Sequence, residues 1–235
     1  MFRHGLGILA ISMGIGAGAA RAAPQQMSMD YDLYRNGQKL GSVTDSFTRS
    51  GNQYRLVSVA RATGPLKGLW PGSLRLESSG EVTAQGLRPT SFRHSRSDQP
   101  QKLAIAILDW KQHTITRQYK GQTRKVDGLK DGAQDQLSQL YQFVFIPRLP
   151  GDYALQVVSG RKLNDYHYRW REGGQIKVPA GQFATQEFVR IRNAADEKAI
   201  TVWIAPARNN LPVQVRVTED GVTLEQRLVR FSTRG

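Results

Sequence analysis

The 235-residue chain contains no cysteine. It therefore has no disulfide framework, no thiol nucleophile, no thiolate metal site and no cysteine for a diacyl anchor. Histidine is scarce too. Beyond His4 there are only His94, His113 and His167, far apart, and no H-E-x-x-H spacing. No serine sits in a G-x-S-x-G elbow, and the glycines fall at turns rather than in a phosphate-cradling loop. No RNP-like stacking motif marks a nucleic-acid binder. No apolar run reaches the about 18 residues of a membrane-spanning helix. Neither a fixed-period repeat nor a low-complexity linker divides the chain. The pattern implies no metal, no cofactor and no catalytic residue.

The first residues read as a processing signal. Arg3 and His4 form a short basic region, residues 6–15 an apolar run diluted by glycine, and Ala20-Arg21-Ala22 a small-x-small cleavage pattern. Cleavage after Ala22 is expected, leaving residues 23–235 as one β-rich domain. Export without cysteine fits a bacterial periplasm. Loss of Arg3 and Arg21 takes the formal charge from +14 to +12.

Alternation of period two dominates this mature part. Val213, Val215 and Val217 alternate with polar residues, as do Tyr166, Tyr168 and Trp170. Further strands are expected at 31–35, 39–48, 53–62, 73–79, 87–94, 103–109, 114–119, 154–158, 185–192, 199–204 and 223–231. Asn36-Gly37 and Asp220-Gly221 are strong hairpin signals. The expected fold is mainly β: one domain, a strongly curved antiparallel meander or incomplete barrel of about a dozen strands.

One segment breaks the pattern. In 131–145, DGAQDQLSQLYQFVF, the residues Ala133, Leu137, Leu140, Tyr141 and Val144 recur at helical spacing. A helix over about 132–145 is expected, with Asp131 as N-cap and Pro147 after its end. Its apolar stripe must be buried against the sheet. The run 103–110, LAIAILDW, is apolar on both faces, as a strand under that helix or under an extended loop would be.

The loop 64–72 carries Leu69 and Trp70 among prolines and glycines. It either tucks these onto the core or forms a flap over a cavity mouth. The link 206–212, PARNNLP, reads as a plain connection. Basic residues cluster at Arg88, Arg93, His94 and Arg96, at Lys120, Arg124 and Lys125, at Arg161–Lys162, and on alternate positions at Arg169–Arg171 and Arg190–Arg192. They form either a solvated outer face or a surface for anionic envelope components. Asp109, Asp135 and Glu187 adjoin apolar residues and would be the acids of a carboxylate-pair enzyme. Asp135 fits better as a charge at the helix start.

Several spaced motifs together resemble one family. The opening YDLYRNGQKLGSV contains Gly37 and Gly41, the helix segment holds Gln134, Asp135 and Ser138, and Pro179–Gly181 supplies a P-A-G turn. The later WIAPARNNLPVQV contains Trp203, Ala205, Pro206, Leu211 and Pro212. Over about 28–231 the chain is similar to the bacterial domain of unknown function 3108. That resemblance implies an exported β-rich domain and supplies no activity or catalytic residues. It also suggests, by fold analogy, a curved-sheet carrier of the envelope.

The leading expectation is a periplasmic, non-catalytic binding or envelope-maintenance protein holding a lipophilic ligand. Leu69, Trp70, Leu137, Tyr141 and Phe145 are its lining candidates. The alternative is an interaction module for an anionic envelope partner, and a carbohydrate-active enzyme comes third. A small outer-membrane barrel fits poorly with the internal helix and the many charged alternate positions. No nucleic-acid partner is expected, and no integral membrane protein once the leader is removed.

Overall fold

A computed structural model describes residues 24–68, 71–146, 149, 151–192 and 198–235. The expected leader, 1–22, lies outside them, as do Leu69 and Trp70. No helix among the described residues is long and apolar enough to cross a membrane.

The strands run β1 (Gln26–Arg35), β2 (Gln38–Ser50), β3 (Gln53–Ala62), β4 (Ser73–Thr83), β5 (Gly86–Arg96), β6 (Ala104–Asp109), β7 (Thr114–Tyr119) and β8 (Gln122–Asp127). Then come β9 (Gln134–Asp135), the helix α1 (Ser138–Phe145), β10 (Asp152–Val158), β11 (Leu163–Val178) and β12 (Gly181–Ile191). The chain closes with β13 (Ala199–Ala205), β14 (Leu211–Glu219) and β15 (Val222–Arg234). All fifteen belong to one sheet in the order 8-7-6-5-4-3-2-1-15-14-13-12-11-10-9. Two meandering wings meet where β1 pairs antiparallel with β15. Every neighbouring pair is antiparallel except β9 with β10.

Local chemistry accounts for the pairing. In β1, Met27, Met29, Tyr31 and Leu33 are buried and the residues between them are not. Asn36-Gly37 and Asp220-Gly221 both have positive φ at their two residues, the geometry of a type I′ hairpin turn. Gly41 serves differently. A Cβ there would meet the Arg61 carbonyl oxygen at 1.9 Å, next to the register shift between β1 and β2.

Chain continuity forces the sheet to curl. Laid flat, fifteen strands would separate β8 from β9 by roughly 65 Å. The connection 128–133 can span only roughly 20 Å. The wings therefore bend towards each other, although the hydrogen-bonded ladder does not close into a barrel. Side chains and loops stitch the seam instead. The Gln134 amide on β9 donates to the Leu87 carbonyl on β5 at 2.8 Å, and Arg117 donates to the Arg161 carbonyl at 3.0 Å. Gly160 lies against β6 so closely that a Cβ would meet that of Ala104 at 2.6 Å.

The concave side holds α1. Phe145 packs on Phe47 of β2 with ring centroids 4.7 Å apart, and Phe143 packs on Phe188 of β12 at 4.1 Å. One helix thus joins the apolar clusters of both wings. Each such ring is worth roughly 1.5–3 kcal/mol when removed from water.

Three expectations change in detail. The helix is shorter than 132–145, because Gln134 and Asp135 pair with β10 and the helical turn begins only at Ser138. Asp131 is exposed in the turn before it and is not the N-cap. The run 103–110 is not buried on both faces: Ala104, Ala106 and Leu108 point inward, while Ile107 is 43% exposed.

Candidate functional site

Two features could carry function: a polar network around α1 and a cationic cleft on the second wing.

The network begins at Asp135. Its Oδ1 accepts the backbone N–H of Leu137 and of Ser138, both at 2.8 Å. Ser138 Oγ in turn accepts the Asp135 N–H at 2.9 Å. This reciprocal pair of contacts satisfies two of the orphan donors at the helix start. Ser78 on β4 donates to Asp135 Oδ2 at 2.5 Å, and Tyr54 Oη lies 2.8 Å from Ser78 Oγ. The Gln-Asp-x-x-Ser motif is therefore a device for starting the helix and tying it to the first wing.

Nearby glutamines complete the anchoring. Strand β6 pairs β5 only between Ser91 and His94, so β6 does not reach the backbone of Leu87. Gln142 Oε1 accepts the Leu87 N–H at 2.6 Å, and Gln134 takes the Leu87 carbonyl. At the other end of the helix, Asn210 donates to the Phe143 carbonyl at 3.0 Å. The PARNNLP link is thus more than a connection, since it caps a helix carbonyl.

Asp45 is the part of the network that the sequence reading missed. Val43, Asp45 and Phe47 share the inward face of β2, so a carboxyl points into the core. Tyr141 donates to Asp45 Oδ2 at 2.5 Å, lies 3.3 Å from the Tyr31 hydroxyl, and Tyr31 donates to the Pro212 carbonyl at 2.9 Å. Asp45 Oδ1 has no hydrogen-bond partner. Burial raises Asp45 to about 6, against the lowering effect of the Ser58 and Tyr141 hydroxyls. Burial likewise raises Asp135 to about 6, although Ser78 and the two capping N–H groups favour its ionised form. Burial pushes the Tyr141 and Tyr31 hydroxyls well up, and the nearby Asp45 charge adds to this. Both acids are sealed inside and engaged in holding the helix.

The other acids considered from sequence are separate from one another. Asp109 Oδ1 accepts two N–H groups of its own turn, from Lys111 and Gln112. Glu187 on β12 accepts the Trp203 indole N–H at 2.7 Å. Of the lining candidates, Leu137, Tyr141 and Phe145 lie together in the core at 1%, 1% and 7% exposure. Leu69 and Trp70 lie outside the described residues. Among the motif residues, Trp203 packs under Arg216, whose guanidinium lies 5.1 Å from the ring, Pro206 opens a short 3-10 turn, and Pro212 receives Tyr31.

The cleft, about 700 Å³, lies between the turn joining β10 to β11 and the adjoining parts of β12 to β14. Arg161, Lys162, Arg190, Lys198, His167 and Asn164 are among its walls. Among the described residues, the acids of its walls are matched by lysines: Lys198 pairs with Glu219 at 2.9 Å and Lys130 with Asp165 at 2.9 Å. Arg161 and Lys162 then remain in excess on exposed positions of the rim. Arg190 is held as a wall, stacked 4.0 Å from the Tyr166 ring and donating to the Lys198 carbonyl. The sequence showed Arg161–Lys162 and Arg190–Arg192 as basic pairs, but not that the fold brings the first pair and Arg190 together.

The sequence model of the protein family of unknown function DUF3108 matches residues 30–227. The chain belongs to the DUF3108 family. No curated protein matches it. Among solved structures it is similar to a β-barrel-like protein of domain of unknown function DUF1849 from Brucella abortus, with 13% identity and a TM-score of 0.52. That likeness covers 92% of this chain and 100% of the Brucella chain. A hypothetical protein from Chlamydia trachomatis scores 0.37 at 9% identity, covering 88% of each chain. A putative outer membrane lipoprotein-sorting protein domain from Vibrio parahaemolyticus scores 0.29 at 7% identity, over 88% of this chain and 84% of its own. The Brucella likeness shows the fold alone, and the other two scores are too low to align a site.

Proposed function

We propose that this protein is a non-catalytic binding module of the bacterial cell envelope, exported to the periplasm, with an anionic ligand. The observation that carries this reading is the 700 Å³ cleft, among whose described walls paired acids leave Arg161 and Lys162 in excess. A concave site with polar walls and fixed cations suits carboxylate or phosphate groups. The formal charge, +14 for the whole chain and +12 after the expected loss of Arg3 and Arg21, adds a long-range attraction to such ligands. The leader pattern at residues 1–22 supports export.

Titration with inorganic pyrophosphate at low salt, followed by two-dimensional amide NMR, tests the reading. Shifts are expected at Arg161, Lys162, Asn164 and Lys198, and they weaken in Lys162→Glu. A spectrum with no shift in this region rejects an anion cleft.

A second reading rests on the helix. Leu137, Tyr141 and Phe145 line the apolar space between α1 and the sheet, and Leu69 and Trp70 belong to the same proposal. A lipophilic ligand would enter by displacing α1. Native mass spectrometry after gentle purification supports this reading if a lipid is retained, and counts against it if none is.

A further inference from the structure

The cleft does not end at Arg161. The same residue walls a second cavity of about 260 Å³, between the β7–β8 hairpin and the turn after β10. Among the described residues this cavity is lined by Arg117, Tyr119, Gln122, Arg124 and Gly160, and none of these walls is an acid. The seam fixes its geometry. Arg117 donates to the Arg161 carbonyl, the Arg161 guanidinium lies 4.7 Å from the Tyr119 ring, and Gly160 sits on the β6 backbone.

Building on the anion-cleft reading above, we infer that the ligand is an extended polyanion, specifically a linear acidic polysaccharide, lying across both cavities with Arg161 at their junction. A compact anion would be satisfied by one cavity. Two cavities joined by a shared guanidinium match a chain that carries charge at intervals. The polar side chains match a hydroxylated ligand: Ser159, Asn164 and Gln136 in the first cavity, Gln122 in the second. Among the described residues, the large apolar side chains that are most exposed, Ile107, Trp170 and Leu224, line neither cavity, and the apolar part of the first is confined to Leu163, Tyr166 and Ile191 among polar and charged walls. The charge of Arg161 is felt through the seam. His94 is lowered to about 4, first by burial and then by Arg161 and Arg96.

Calorimetric titration of the full chain with oligogalacturonates of increasing length tests the inference. Long oligomers are expected to bind about tenfold or more tightly than the disaccharide, because the second cavity adds contacts at high effective concentration. Arg124 is exposed on the edge strand β8. Arg124→Ala should therefore weaken the long oligomers towards the affinity of the disaccharide, with the thermal midpoint unchanged. Equal affinity for short and long oligomers, or no effect of Arg124→Ala, overturns the extended ligand while leaving a compact-anion cleft in place. Failure of pyrophosphate and of every oligomer removes the cleft reading itself. Binding to phosphatidylglycerol vesicles without binding to oligomers overturns the polysaccharide in favour of a membrane surface.

Discussion

Tyr141 on the helix donates to Asp45 on β2 at 2.5 Å, across 96 residues of sequence. This contact ties the helix to the first wing at a carboxyl that faces the core and whose other oxygen, Oδ1, has no hydrogen-bond partner. Tyr141→Phe keeps the ring and removes the donor. It should cost about 1–3 kcal/mol at neutral pH, the penalty for leaving a buried acceptor unsatisfied. Chemical denaturation reads the loss. In a double-mutant cycle with Asp45→Asn, the two effects should fall short of additivity by about 1 kcal/mol or more. Additive losses would mean that the pair does not interact.

The two buried acids set a pH dependence. Both titrate at about 6 in the folded protein, above the ordinary 3.8. The folded state therefore holds protons more tightly than the unfolded chain. Their stabilisation is fully present below the unfolded value and is lost as pH rises through about 6. Relative to Asp45→Asn, the native chain should gain about 1 kcal/mol in stability between about pH 7.5 and about pH 5. His94 works in the opposite sense. Its lowered value means that acidification from about 6.5 towards about 4 destabilises the fold. His94→Gln should therefore steepen the gain seen on acidification. Denaturation midpoints measured against pH for the three proteins check this.

Asp135 and Ser138 form the reciprocal cap on which the helix starts. Asp135→Ala removes the acceptor of two backbone N–H groups and should destabilise by about 0.5–2 kcal/mol from the cap alone, and by more with Ser78 left unmet. Asp135→Asn retains an acceptor and should lose less. Amide hydrogen exchange should accelerate first at Leu137 to Leu140. Unchanged exchange there would show that packing, not the cap, holds the first turn.

Much of the fold was legible because inward and outward residues alternate along strands such as β1, β2 and β3. Met29 and Tyr31, and likewise Val213 and Val215, mark buried faces in sequence as they do in space. Strand β8 was not legible. All but one of its residues are exposed, and its turn, Lys120-Gly121, takes positive φ at both positions without the usual asparagine or aspartate. The helix boundary differs because Ala133 fits the helical period, while Gln134 and Asp135 pair with β10 and the Asp135 carboxylate takes the N–H groups of Leu137 and Ser138. Asp45 could have been seen, as a charge on the inward period of β2. The cleft could not, because Arg161, Arg190 and Lys198 come from separate strands and turns that only the pairing of β10 to β13 brings together.

The central claim is that ligand binds at the cationic cleft while the helix-filled interior stays closed. Hydrogen exchange by mass spectrometry, with and without a long oligogalacturonate, tests it most directly. The account predicts added protection confined to about residues 117–124, 159–167 and 190–191, with 138–145 unchanged. Altered exchange in 138–145 with no protection at the cleft would contradict it.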